Sequence, residues 1–254
     1  MTRATSLKRS FDVYYRDPVR RVRMDQLNAL CVPKGGLAFD IGAHVGDRTG
    51  SFLRLGARVV AVEPQPRVFR ALRLMYGRQP KITLERKAVG ASVGTVPFFV
   101  NSANPTISTA STELIDAAQA ARGWQGQDWD HQIDVPVIRL DDLIAKYGIP
   151  DFIKIDVEGY EADVLRGLSH PVPLLSFEFT TIQPKITVQC LQILSALGAY
   201  EFNYSLGEEH RLEHARWQDL ESLQSELLAL PEVANSGDVF ARLRGFEKNA
   251  EPRE

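Results

Sequence analysis

The chain has 254 residues, 44% of them apolar, with 30 basic against 32 acidic side chains and a formal net charge of −2. That length supports one substantial core, and the near-neutral balance lacks the basic excess with which nucleic-acid binders meet phosphate, so no nucleic-acid partner is expected. Two distant cysteines, Cys31 and Cys190, spell neither a disulfide framework nor a zinc site, and without a signal-peptide pattern or a run of roughly 20 apolar residues a cytoplasmic protein with no membrane span is expected.

Residues 1–35 read as a helical extension: the first 25 carry seven basic and three acidic side chains, with Tyr14, Tyr15, Val19 and Val22 forming an expected apolar stripe laid on the domain. From residue 37 the pattern becomes βαβα. LAFDI is a strand, a helix runs from about Asp47 to Leu55, ARVVAVEP is a second strand, and a second helix runs from about Gln65 to Tyr76. ITLERKAV supplies a third strand, and TVPFFV is an added strand or half of a hairpin.

Residues 101–132 break the rhythm with NSANPTISTAST, a helix-prone TELIDAAQAA and the tryptophan-bearing RGWQGQDWDHQ. Long inserts of this kind are often lids, so Asn104 to Ser111, backed by Trp124, Trp129 and His131, is the expected acceptor-facing segment. DVPVIRLDDLI restores strand and helix, DFIKIDVEG is a buried strand ending in acid, ADVLRGL is a short helix and PLLSFEFT another strand. A helix after Pro184 and two strands, AYEFNYS and DVFARL, without a crossover helix between them suggest an antiparallel end to a mostly parallel sheet. One domain is therefore expected, with a core at 36–182, the insert 101–132 and a C-terminal part at 183–254.

The loop FDIGAHVGDRTG, residues 39–50, lies where ligands of open α/β sheets bind, beyond the first strand. It is not a dinucleotide fingerprint, because His44 stands where a second glycine would admit pyrophosphate, and it is not a P-loop, because no Lys-Ser/Thr follows Gly46 or Gly50. Asp40 and Asp47 would repel phosphate and suit a cationic ligand. Glu63, closing the second strand, can accept both hydroxyls of a ribose, each charge-assisted bond contributing roughly 1.5–3 kcal/mol. A nucleoside with a sulfonium and an amine but no phosphate, S-adenosylmethionine, satisfies all of these. The competing readings are a nicotinamide-dependent oxidoreductase, disfavoured by His44 and the acids, and a non-catalytic cofactor-binding protein needing only Asp40 and Glu63.

In FIKIDVEGYE, Lys154, Asp156 and Glu158 alternate with apolar residues and share one side of the strand or its mouth. Asp156 is the candidate base, Lys154 its charged neighbour or an ion-pair partner, and His44 a secondary base or hydrogen-bond donor. Glu178 in SFEFT is expected in the same crevice. Asp141, Asp142, Asp156 and Glu178 could together offer oxygen ligands to Mg²⁺, but Asp141 and Asp142 equally suit a helix N-terminus, and no metal is assigned.

Four separated pieces, FDIGAHVGDRTG, VVAVEPQP, NPTISTAS with VPVIRLDDLI, and IKIDVEGYEADVLRGL followed by LLSFEFT, make residues 36–182 resemble the FkbM-type methyltransferases. The family commonly has Asn at the place of His44 and bulky aromatics at Asp47 and Arg48. The resemblance implies a Rossmann-like class I α/β fold with helices on both sheet faces, and S-adenosylmethionine as cofactor, held by Asp40, Gly42, His44, Gly46, Glu63, Pro64, Ala88, Val89 and Asp156. It also implies methyl transfer to a hydroxyl of a sugar, polyketide or related natural-product or glycolipid acceptor, met by Asn104, Ser108, Glu158 and Glu178.

Overall fold

The computed structural model describes residues 3–245. Helices α1 (Arg3–Tyr15) and α2 (Pro18–Cys31) precede β1 (Leu37–Ile41), α3 (Asp47–Arg54), β2 (Arg58–Val62), α4 (Pro66–Tyr76), β3 (Ile82–Glu85), β4 (Ala88–Val89) and β5 (Gly94–Val100). After α5 (Thr112–Ala120) come β6 (His131–Ile138), α6 (Leu140–Tyr147), β7 (Phe152–Ile155), α7 (Glu161–Arg166), β8 (Leu174–Thr180), α8 (Pro184–Leu197), β9 (Tyr200–Leu206), α9 (Leu220–Ala229) and β10 (Ser236–Leu243).

Seven strands form the central sheet in the order β3-β2-β1-β7-β8-β10-β9. The first five are mutually parallel, and β10 runs antiparallel to both β8 and β9. Strand order reverses between β1 and β7, and ligands of open sheets bind outside the carboxyl ends at such a switch point. The fold is thus the expected mostly parallel α/β sheet with an antiparallel end.

Period-2 alternation divides the core. Leu37, Phe39 and Ile41 of β1 face the helices α6 to α9, packing in one cluster with Leu140, Leu165, Leu191 and Leu223. Ala38 faces the other way, with Leu27 and Cys31 of α2, Phe52 of α3 and Leu72 of α4. Asp40 falls on that second face, which brings its carboxylate to α3.

Two expectations need correction. ITLERKAV is not one strand: it splits into β3 in the central sheet and β4 in a separate sheet ordered β4-β6-β5, so β5 and β6 form an antiparallel hairpin closed by residues 101–130. The N-terminal stripe also fails at Val19 and Val22, which are 63% and 51% exposed. Pro18 at the first helical position and Asp17, capping the Val19 and Arg20 N–H groups, start a new helix there, and its buried line is Arg20, Met24, Leu27, Asn28 and Cys31. Both cysteines are free and buried. No helix among the described residues is long and apolar enough to cross a membrane.

Candidate functional site

A cleft of about 850 Å³ opens at the switch point, lined by the ends of β1, β2, β4 and β7, by α1 and by the insert. Its floor is cross-tied. Gly42 and Ala43 N–H both donate to the Val62 carbonyl at 2.9 Å, and Asp156 N–H donates to the Ile41 carbonyl at 2.9 Å. Gly42 sits at φ +83°, and a Cβ there would lie 1.7 Å from the Asp156 carbonyl oxygen. Only glycine lets the loop pass so close to the end of β7.

Glu63, 2% exposed, holds the loop from the other side: Oε2 accepts from His44 N–H at 3.0 Å and Oε1 from Gln65 N–H at 2.8 Å. Burial pushes its carboxyl up to about 7, against the pull of the two N–H groups. Each oxygen keeps a lone pair free for a further donor. Asp40, 1% exposed, accepts from Thr49 Oγ1 at 2.5 Å, and burial raises its carboxyl to about 6 despite that bond.

His44 itself adopts the left-handed region, φ +46°, which His and Asn tolerate better than most residues. Its ring meets Tyr14 of α1 edge-on at 5.8 Å, its Nε2 is buried without a hydrogen-bond partner, and burial holds its pKa below the ordinary value. The imidazole is therefore neutral at pH 7.

Asp156 projects into the cleft, its side chain 34% exposed. Behind it Lys154, 2% exposed, bridges Asp156 Oδ2 at 3.3 Å and Asp238 Oδ1 of β10 at 2.5 Å. Burial opposes the ammonium charge, but Asp156 and Asp238 hold its pKa above the ordinary value. Lys154 does not line the cleft; its place is that of a fixed cation orienting Asp156, not of a group that meets substrate. The following turn is locked by Glu161, whose Oε1 accepts from Val157 N–H at 3.2 Å and Gly159 N–H at 3.1 Å.

Of the other expected residues, Pro64, Ala88, Val89, Ser108 and Glu158 line the same cleft. Four do not. Gly46, φ +83°, is the N-cap of α3, and a Cβ there would strike Leu72 and Tyr76, so it serves packing. Asn104 does not line the cleft; its backbone N–H is held by Asn101 Oδ1 at 2.8 Å, and Thr106 stands at the cleft instead. Lys154 lies behind Asp156, and Glu178 borders a smaller adjoining cavity, although one of its oxygens lies within 4.8 Å of oxygens of Asp156 and Glu158. Asp141 and Asp142 leave the proposed Mg²⁺ set, because they cap α6 and its neighbours: Asp141 accepts from Ser169 N–H and Asp142 from Arg139.

The tryptophans are not cleft walls. Trp129 Nε1 donates to the Ile107 carbonyl at 2.9 Å and so braces the 105–107 turn from outside, while His131 is exposed at the start of β6. From the inner side Gln65 Nε2 donates to the Pro105 carbonyl at 3.0 Å. The residue after Glu63's proline thus joins the first half of the cleft to the insert.

Asp47 is not the open anion expected, since Arg20 Nη2 lies 3.1 Å from it. Arg20 and Arg48 gather Glu208 as well, at 2.5 and 3.6 Å. Burial alone would raise the Glu208 carboxyl, but Arg48, His210 and Arg20 hold it well below the usual range. Tyr14, Gln65, Arg48 and Glu208 were not among the expected site residues. Gln65 was findable as the neighbour of Glu63 in VVAVEPQP; Tyr14 and Glu208 reach the cleft only through contacts remote in sequence.

Acids dominate this lining: Asp40, Asp47, Glu63, Asp156, Glu158 and Glu208 against Arg48 and Lys87. Arg48 is committed to Asp47, Glu208 and Asp238 at 3.6–3.9 Å, and Lys87 to Glu85 at 3.5 Å. Among the described residues a pyrophosphate would find no free cation there, whereas a phosphate-free nucleoside with a positive charge meets complementary groups.

The methyltransferase FkbM domain family matches residues 40–211. No curated protein matches the chain in sequence. Among solved structures it is similar to an O-methyltransferase from Bacillus cereus in complex with SAH (11% identity, 95% of this chain and 88% of that one, TM-score 0.48). It is also similar to the precorrin-6Y C5,15-methyltransferase of Geobacter metallireducens (14%, 90% and 88%, 0.46) and to the fibrillarin of Aeropyrum pernix with bound S-adenosyl-L-methionine (13%, 90% and 75%, 0.46).

Proposed function

The chain belongs to the methyltransferase FkbM domain family, as an S-adenosylmethionine-dependent methyltransferase, and on that premise we propose that it methylates a hydroxyl oxygen of a polyhydroxylated acceptor, a sugar, polyketide or glycolipid. The observation that carries this reading is Asp156, a carboxylate half-open to the cleft and backed by a buried lysine, with Glu158 beside it. A carboxylate that is ionised only accepts hydrogen bonds, so Asp156 suits a ligand that presents donors, as the hydroxyls of such an acceptor do.

The cofactor residues divide by chemistry. Glu63 orients the ribose diol, Asp40 and the Gly42–His44 loop face the charged amino-acid end, and Pro64, Ala88 and Val89 offer the apolar wall for the base. The bound cofactor supplies a methyl group on a sulfonium. The protein aims the acceptor oxygen along the line of displacement, an orientation that can contribute roughly 7–11 kcal/mol, and Asp156 takes the hydroxyl proton. Lys154 fixes the direction of Asp156, and the neutral His44, with its unpaired Nε2, is a second proton acceptor at the same opening.

The test is Asp156→Asn. Adenosylhomocysteine binding survives, while transfer of labelled methyl to hydroxyl acceptors falls on the order of 10²–10⁴-fold. Transfer undiminished in the variant removes Asp156 from the proton-accepting role, and labelled product methylated at nitrogen or carbon overturns the oxygen assignment.

A further inference from the structure

We propose that Asp156, Glu158 and Glu178 form a binding site for one hard divalent cation, of the Mg²⁺ or Mn²⁺ class, at the acceptor end of the cleft. Asp156 and Glu158 come from the turn after β7 and Glu178 from β8, and one carboxylate oxygen of each lies within 4.8 Å of the others.

Three acids brought together are not by themselves a site; the lack of partners at Glu158 and Glu178 is what points to a ligand. Glu158 is 8% exposed, and its carboxylate makes no hydrogen bond or ion pair among the described residues. Glu178 Oε2 is likewise buried and unpartnered. The nearest cation, Lys154, is taken up by Asp238 at 2.5 Å and Asp156 at 3.3 Å. Buried carboxylates without compensation are costly, and native structures pair them or give them a metal.

The backbone reinforces the point. Glu158 sits at φ +56°, a conformation unfavourable for a non-glycine residue. The turn is held there by the Glu161 carboxylate and by Thr109 Oγ1 donating to the Glu158 carbonyl at 2.6 Å. Strained main chain is thus maintained by neighbours, and its result is to turn a carboxylate toward two others.

The donor set is all oxygen, which selects hard cations over zinc or copper. Three protein ligands leave positions of a six-coordinate ion open, and Asp156 and Glu158 line the cleft, so those positions face its interior. A cation there would coordinate the acceptor's hydroxyl and favour its deprotonation. That role rests on reading this end of the cleft as the acceptor site; binding of the ion does not. The opposing explanation is that Glu158 and Glu178 share a proton and bind nothing.

The experiment is titration of Mn²⁺ into the full-length, chelator-stripped and dialysed protein, followed by electron paramagnetic resonance, with adenosylhomocysteine titrated in parallel. The expected result is one Mn²⁺ per chain, weakened at least tenfold in both Glu158→Gln and Glu178→Gln, with cooperative melting in each and adenosylhomocysteine affinity retained in Glu178→Gln. Absence of stoichiometric Mn²⁺ binding, or binding unchanged in both variants, overturns the site. Mn²⁺ binding without adenosylhomocysteine binding keeps the ion and removes the functional reading; the converse keeps the reading and removes the ion.

Discussion

The main-chain N–H of His44 donates to Glu63 Oε2 at 3.0 Å, so the glycine loop after β1 is anchored to the acid that ends β2. The donor is backbone, and the imidazole is free of that duty. Asn tolerates the left-handed conformation that His44 adopts, so His44→Asn should keep the anchor. Adenosylhomocysteine affinity by calorimetry should stay within about tenfold of wild type. A larger loss would mean that the ring, not the main chain, organises the loop.

Glu63 gives a pH dependence with a defined sign. Its folded pKa is raised to about 7, above the ordinary carboxylate value, so its contribution to stability is fully present at acid pH and is lost as pH rises through about 7. Glu63→Gln has no such charge to bury. The melting temperature of the variant relative to wild type should therefore climb from pH 5 to pH 8 in ligand-free protein, by an amount corresponding to on the order of 2–3 kcal/mol. A difference that is flat or falls with pH would contradict the burial argument.

Lys154 and Asp238 form a buried pair whose halves are not separately dispensable. Lys154→Met leaves Asp156 without its cation and Asp238 with only Arg48 at 3.7 Å, and removing one partner of a buried pair costs about 3–5 kcal/mol. The denaturation midpoint should fall accordingly, and Asp238→Asn in the same chain should recover part of the loss. Equal destabilisation in the double variant would show that packing, not charge, sets the cost.

On the insert, excision of α5 is a poor probe because Leu114 and Ala118 of that helix are buried. Trp129→Phe removes the Nε1–H donor to Ile107, together with part of the ring, and keeps an aromatic side chain in place. The 105–107 turn, which brings Thr106 and Ser108 to the cleft, then loses its outer brace. The expected outcome is a raised acceptor KM with adenosylhomocysteine affinity unchanged; a loss confined to the cofactor would reassign the turn.

These relationships differ in how far sequence alone reveals them. β1, its loop, α3 and β2 were legible because a buried apolar run, a glycine turn and helical periodicity follow one another within 26 residues. Glu63 was legible for the same reason, standing at a strand end. Pro18 hid the phase of α2, because a stripe counted through the break assigns Val19 and Val22 to the wrong side. Glu208 was invisible, since its link to Arg20 spans 188 positions. The small β4-β6-β5 sheet was equally hidden: alternation identifies a strand without naming its partner.

The assignment of the cleft to a phosphate-free nucleoside rests most directly on Glu63. Calorimetric titration of the full chain with adenosylhomocysteine, with NAD⁺ run beside it, should give saturable one-to-one binding for the first and none for the second. Glu63→Ala, which removes both the diol acceptor and the anchor of the His44 loop, should weaken adenosylhomocysteine by on the order of 1–3 kcal/mol, about 5- to 150-fold. Saturable NAD⁺ binding, or an Ala variant that binds adenosylhomocysteine as wild type does, would contradict it.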